Sequence, residues 1–250
     1  RLTSIDIGFG IAPQINALGR LEDPRQGVKF LIGSDVNETR HVGSTLHELN
    51  QARKRIEKDI VEQVEAEIEA QSIDVEQERV IIAARENWQP GVIGLAASRI
   101  VNTYYRPVIL LHRSKDGTLH GSCRSIQALN IFEALSESSD ILDTFGGHAA
   151  AAGLSLHETH LDTFKHRLEN YIARKLSPED FIPSITIDAS VYLDEMTSKL
   201  ARDLSYLEPF GHENERPVFY IPDVQLLRAP RLLKEQHVKC SFTGHGAMKS

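Results

Sequence analysis

The residues best suited to chemistry stand in one run, Phe145-Gly146-Gly147-His148-Ala149-Ala150-Ala151-Ala152-Gly153. Glycines lack a Cβ and tolerate positive φ, so the backbone there can turn sharply and press against a ligand. His148 follows at once, and its ring can donate a hydrogen bond or carry a charge near neutral pH. The alanines can form a short turn of helix whose amides would point at an anion beside His148. The same residues also fit a tight turn packed under a sheet.

A second group precedes it. Asp116-Gly117 is a hairpin signal, and Thr118–Arg124 after it reads as a strand. Alternation puts His120, Ser122 and Arg124 on one face and Leu119, Gly121 and Cys123 on the other. A guanidinium fork two residues from a rotatable hydroxyl makes a phosphate contact. Taken alone, the strand reads more readily as an edge strand with a polar outer face. His157-Glu158-Thr159-His160 is not an H-E-x-x-H arrangement and has no third ligand nearby, so exposed polar residues are the better reading. No Walker A sequence, nucleophile elbow or Asp-rich two-metal cluster is present.

The elements that must hold these groups are legible from periodicity. A loop and short helix occupy the first 33 residues, where Gly19 would let the backbone pass close beside Arg20. From about Asp35 to Gln71 the pattern is helical, with Ile56, Ile60, Val64 and Ile68 as a narrow apolar stripe. The part from 46 to 70 reads as a spacer. Arg79–Ala84, a helix over Val92–Asn102 and Pro107–Leu111 resemble a βαβ crossover. Ile131–Leu142 reads as an amphipathic helix, Gly153–Leu156 as a strand, and Leu161–Leu176 as a helix. Ser177–Pro183 is a boundary. Beyond it Ile185–Val191, Pro217–Ile221, Val224–Arg228 and Val238–Thr243 look like strands, and Met196–Leu207 like a helix. These short strands point to a small β-barrel cut before it closes.

Composition limits the function classes. Net charge is −7, which excludes a uniformly basic nucleic-acid coat, yet residues 79–125 hold seven Lys or Arg against two acids. Two cysteines are too few for a disulfide scaffold or a thiolate metal site, and fit a reducing cytosol. No run of about 18 apolar residues offers a membrane span. The start at Arg1 and the stop after a strand-like run read as a piece of a longer protein.

Six segments carry a family resemblance: Phe9–Leu21, Leu46–Glu57, Trp88–Arg99, Gly121–Ile126 (G-S-x-R-S-I), Phe145–Gly153 (G-G-H-x-x-A-A-G) and Pro209–Phe219. In order and spacing the chain resembles the C-terminal part of the catalytic region of the RecJ family of single-strand-specific DNA exonucleases, within the DHH phosphoesterases that carry a DHHA1 domain. The resemblance implies an α/β fold: a mixed-sheet DHHA1-like domain (76–178) preceded by a long spacer helix (46–75) and followed by a partial OB-fold β-barrel (179–250). Residues 1–45 would be the tail of an upstream DHH domain. That domain would hold the two Mn²⁺ or Mg²⁺ ions that activate water for phosphodiester cleavage, with no metal in this portion. Ser122 and Arg124 would bind substrate phosphate, including the 5′-terminal one. His148, as the catalytic residue, and Gly146–Gly147 would contact the phosphate near the metals. Asn16 and Arg20 would join from the other side of the spacer.

The function implied is part of a 5′-to-3′ exonuclease of DNA repair and recombination, cytoplasmic, with no membrane partner. Its partner would be single-stranded DNA, with a single-strand-binding protein or a helicase as candidate protein partners. The alternatives are another DHH–DHHA1 phosphoesterase, acting on oligonucleotides or cyclic dinucleotides, and a nucleic-acid-binding module without catalysis. Two positions depart from the family pattern. Gln14 stands where a basic residue is frequent, and Gln89 where a His is usual.

Overall fold

The computed structural model describes residues 3–211, 213–234, 237–244 and 247–249. The chain folds as two units, one over Ile5–Pro183 and another that holds Ser184–Ser250.

In the first unit a helical turn at Asp6–Ile11 leads into α1 (Ala12–Leu21), α2 (Arg25–Ile32) and the 34-residue α3 (Val36–Glu69). At 1.5 Å per residue α3 runs about 51 Å. The Asp35 carboxylate accepts from the Asn37 amide at its start. Of the expected stripe, Ile60 and Val64 are buried and Ile56 and Ile68 are partly buried against the core, while Leu46 and Val61 are buried as well. Ile60, Val61 and Val64 join the core of the sheet, and Trp88 is locked to α3 by its indole N–H donating to Gln63. Asn50, Arg53 and Glu57 of the second matching segment bond to one another along one helix face, where Arg53 and Glu57 form a nearly buried ion pair.

The crossover and the strands expected at Thr118–Arg124 and Gly153–Leu156 are built as the sequence predicts, and a strand over Thr144–His148 is an addition to them. β1 (Ile81–Arg85), α4 (Pro90–Tyr104) and β2 (Val108–Arg113) form the crossover, with β1 and β2 parallel. The turn at Gly117, at φ +83°, leads antiparallel into β3 (Thr118–Arg124). α5 (Ile131–Ser136) is capped by the Asn130 side chain, which accepts from the Phe132 and Glu133 amides. It stops six residues short of the expected Leu142, because the serine-rich stretch that follows folds into turns. β4 (Thr144–His148), β5 (Ala151–His157) and α6 (Leu161–Lys175) complete the unit, and the strand order is β1-β2-β3-β5-β4.

One face of the sheet buries Leu119, Cys123, Leu154 and Leu156 with Phe164, Leu168 and Ile172 of α6 in the same core. α4 lies on the other face against β2 and β3. That face is open over β4 and the outer part of β5, where Thr144, Gly146, His148 and Gly153 are exposed.

The second unit contains β6 (Ala189–Ser190), α7 (Ser198–Ser205), β7 (Phe219–Tyr220), β8 (Gln225–Leu226), β9 (Arg231–Leu233), β10 (His237–Lys239), β11 (Phe242–Gly244) and β12 (Ala247–Lys249). They pair as β6-β7, β12-β11-β8 and β10-β9, and no closed barrel forms among the described residues. The expected strand over Ile185–Val191 shrinks to two residues; Ile185 and Ile187 are exposed and have no partner strand among the described residues. The expected strand over Val238–Thr243 divides into β10 and β11, and β9 was not anticipated. Among the described residues no helix is long and apolar enough to cross a membrane.

Candidate phosphate-binding face

The four alanines do not form a helical turn. Ala149 and Ala150 make the two-residue tip of a hairpin, and Ala151 and Ala152 already belong to β5. Pairing of β5 with both β3 and β4 overrides the helical preference of alanine. Gly147 takes up the twist at φ +146°, and an added Cβ there would sit 2.5 Å from the Ala152 Cα. The tip is fastened from outside: the Ala150 and Ala149 carbonyls accept from the Ser125 and Ile131 amides, each at 3.0 Å.

Register then brings the distant motifs together. Ser122 pairs with Gly153 and Gly153 with Gly146, while Arg124 pairs with Ala151 and Ala151 with His148. All six lie on the face shared with α4. Two strand spacings of about 4.8 Å separate the Arg124 strand from the His148 strand. Between them the floor is bare: nothing lies within 4 Å of a Cβ built at Gly146, and only the Gly121 carbonyl, 3.7 Å away, meets one at Gly153. Gly147 falls on the opposite face, so its part is the backbone turn.

Arg124 is held rather than free. Its Nε donates to Ser98 Oγ at 3.0 Å, and its Nη1 donates to Ser122 Oγ at 3.1 Å and to the Cys123 carbonyl at 2.7 Å. Ser98 in turn donates to the Gly94 carbonyl. A side chain at Gly94 would collide with both groups, its Cβ lying 2.7 Å from Ser122 Oγ and 2.8 Å from Arg124 Nη2. Burial in this seam lowers the Arg124 pKa; the neighbouring Cys123 acts the other way, and the positive charge of Arg20 adds to the lowering.

Arg20 arrives from α1. Its Nη1 donates to the Gly91 carbonyl at 2.9 Å, tying α1 to the start of α4 across 71 residues of sequence. The glycine that permits this approach is Gly91 and not Gly19: a Cβ at Gly91 would clash with the Arg20 backbone, whereas one at Gly19 would meet only Pro24 at 3.9 Å. Asn16 is exposed and lines, with Arg20 and Gly91, a cleft of about 520 Å³. His148 Nδ1 accepts from the Ala150 amide at 3.3 Å, which leaves Nε2 as the outward donor of the neutral ring. Gln14 turns back to the Gly10 carbonyl, and Gln89 is the exposed N-cap of α4.

The basic excess over 79–125 is partly consumed by structural pairs, since Arg79, Arg85 and Arg113 bind Glu169, Glu67 and Glu158. Arg20 and Arg124 have no carboxylate partner among the described residues. Arg124 therefore stands unneutralised on the face that carries the glycines and His148, with the charge of Arg20 acting on it, an arrangement suited to an anion. Sequence reasoning gave the Val92–Asn102 helix but missed the bond from Arg124 to its Ser98. Its spacing of four from Gly94, on a helix facing the Arg124 strand, was the available signal. Among the described residues no three His, Cys, Asp or Glu side chains stand together as a metal site, so these residues alone do not fit a divalent ion.

Residues 77–174, which hold the mixed five-stranded sheet with its Ser/Arg strand and Gly-Gly-His hairpin, match the DHHA1 domain family. Residues 187–250 match the RecJ OB domain. The chain belongs to the RecJ family. It is 33% identical over 238 residues to the single-stranded-DNA-specific exonuclease RecJ of Bacillus subtilis, covering 94% of this chain and 30% of that protein. The Escherichia coli protein of the same name is 35% identical, with 96% of this chain and 42% of that protein covered. The crystal structure of Thermus thermophilus RecJ in complex with Mg²⁺ superposes with a TM-score of 0.81 at 28% identity, over 98% of this chain and 37% of that one. A second Thermus thermophilus RecJ structure is of the complex with Mn²⁺. The chain thus spans well under half the length of these relatives.

Proposed function

We propose that this chain supplies the substrate-binding half of a single-stranded-DNA-specific exonuclease that works from the 5′ end in DNA repair and recombination in the cytoplasm. The reading is supported by the register, which puts Ser122, Arg124 and His148 on one sheet face beside Gly153 and Gly146, with Arg124 lacking any carboxylate partner among the described residues. A phosphate there would take two charge-assisted bonds from Arg124, a hydroxyl from Ser122 and the Nε2–H of His148. Ser98 fixes the guanidinium plane, and Arg20 adds positive potential. His148 is the group that would touch the reacting phosphate. Mn²⁺ or Mg²⁺ would be held by residues outside these 250, in the portion of the relatives that the chain does not match. The C-terminal unit would grip single-stranded DNA as OB folds do. That unit favours a polynucleotide over a cyclic dinucleotide, which needs no strand-binding module. A single-strand-binding protein or a helicase would be the protein partners.

The test is binding and turnover by the pure chain with labelled oligonucleotides. Single-stranded DNA should bind better than duplex, Arg124→Ala should weaken binding, and added Mn²⁺ should produce no cleavage. Cleavage by the pure chain would overturn the placement of the metals, and equal affinity for duplex would overturn the strand preference.

A further inference from the structure

The face that carries Ser122, Arg124 and His148 continues past them. One strand pair further along, the register aligns His120 of β3 with Ser155 of β5 and Thr144 of β4. His120 and Thr144 are exposed, and the Thr144 and Ser155 hydroxyls bond to each other at 2.7 Å. Two hydroxyls that share one hydrogen bond keep one O–H free to donate outward. At the head of this row, across from His120 on β2, His112 has a buried Nδ1 with no hydrogen-bond partner among the described residues.

The composition of this face is unlike that of an ordinary solvated sheet. β3, β5 and β4 place not one Asp or Glu on it, in a chain that holds 35 acids. Nor do they place a lysine there; the positions are histidine, arginine, small hydroxyl residues, glycine and alanine. Glycine inside a strand weakens it and exposes backbone, so Gly146 and Gly153 in adjoining strands make sense where another backbone approaches closely. Acids flank the face at its ends: Asp116 in the β2–β3 turn, and, just before Thr144, Asp143, whose amide donates to the Ser155 carbonyl.

We infer that the row His120–Ser155–Thr144 is a second phosphate subsite, and that a single strand of DNA runs along β3–β5–β4 from the Ser122–Arg124–His148 cluster toward it. The second row lies two residues along the strands from Ser122, about 6.8 Å, and four residues, about 13.6 Å, from the Arg124–His148 row, so the neighbouring phosphate is the one next to that held at Ser122. His120 donates to the second phosphate, Thr144 supplies the hydroxyl, and Gly153 and Gly146, in line with Ser122, leave room for the sugar.

This inference rests on the function proposed above, and one experiment separates the two. NMR chemical-shift titrations of the 250-residue chain compare a 5′-phosphorylated deoxymononucleotide with a 5′-phosphorylated dinucleotide. The second phosphate should tighten binding about tenfold, the size of one charge-assisted hydrogen bond. His120→Ala should remove most of that gain, and Thr144→Val part of it, while both leave mononucleotide affinity unchanged; the two positions are exposed, so folding is preserved. His120→Glu should make the dinucleotide the weaker ligand. Full retention of the gain in His120→Ala overturns the second subsite alone. Mononucleotide affinity that is indifferent to Arg124→Ala, or no binding of either probe by the unaltered chain, overturns the first site and the second with it.

Discussion

Ser98→Ala isolates the support of Arg124 from its charge. The substitution removes the Oγ that accepts from Arg124 Nε at 3.0 Å, and leaves the Nη1 bonds to Ser122 and the Cys123 carbonyl in place. A hydrogen bond to a charged group contributes about 1.5–3 kcal/mol. Arg124 is only half-buried, so water can replace part of this and about 1–1.5 kcal/mol is the fair expectation for the guanidinium. If the anion is bound through that guanidinium, affinity for a phosphorylated oligonucleotide should fall roughly five- to tenfold, since 1.4 kcal/mol is tenfold. Stability should change much less. Alanine is the better helix former within α4 by a few tenths of a kcal/mol, which offsets the lost bond from Ser98 Oγ to the Gly94 carbonyl. Calorimetric titration with a 5′-phosphorylated trinucleotide, beside thermal unfolding, reads both quantities. Ser98→Thr should restore affinity because the hydroxyl returns. Unchanged affinity in Ser98→Ala, or no recovery in Ser98→Thr, would refute the positioning role.

Two further expectations concern stability and reactivity. Gly147→Ala forces a Cβ to within 2.5 Å of the Ala152 Cα at a φ of +146°, and should destabilise the chain by roughly 2–4 kcal/mol in denaturant unfolding; a loss below about 1 kcal/mol would show that the hairpin can relax. Burial pushes the Cys123 thiol up to about 12 from an ordinary value of 9.0. The folded state keeps its proton where the unfolded chain releases it, so this group should lower stability progressively as pH rises from 9 towards 12 and have no effect below pH 8. Cys123→Ser should flatten that alkaline slope, and a thiol reagent at pH 8 should leave Cys123 unmodified until the chain unfolds.

Much of the sheet was legible because its signals are local. The alternation in Thr118–Arg124, the Asp116-Gly117 turn and the two apolar runs around α4 each state their own conformation. The narrow stripe of α3 likewise read correctly as a long helix. What could not be read depends on partners far away in sequence. Four alanines are at home in helix or strand, and only the pairing with β3 decides between them. Gly19 and Gly91 look alike as residues, yet contact across 71 positions makes Gly91 the one that matters. Ser98 is a small helix residue until the strand beneath it turns out to carry Arg124. The C-terminal strands are so short that their register rests on long-range pairing more than on their own pattern.

The fastening of the hairpin tip bears on how the site behaves when loaded. Ser125, which follows Arg124 directly, grips the Ala150 carbonyl, and Ile131 grips that of Ala149. The arm that carries Arg124 and the arm that carries His148 are thus riveted at their ends as well as laced through β5. They should behave as a fixed calliper whose opening the ligand cannot adjust. A phosphate that fits would be gripped without any closing motion between these two strands.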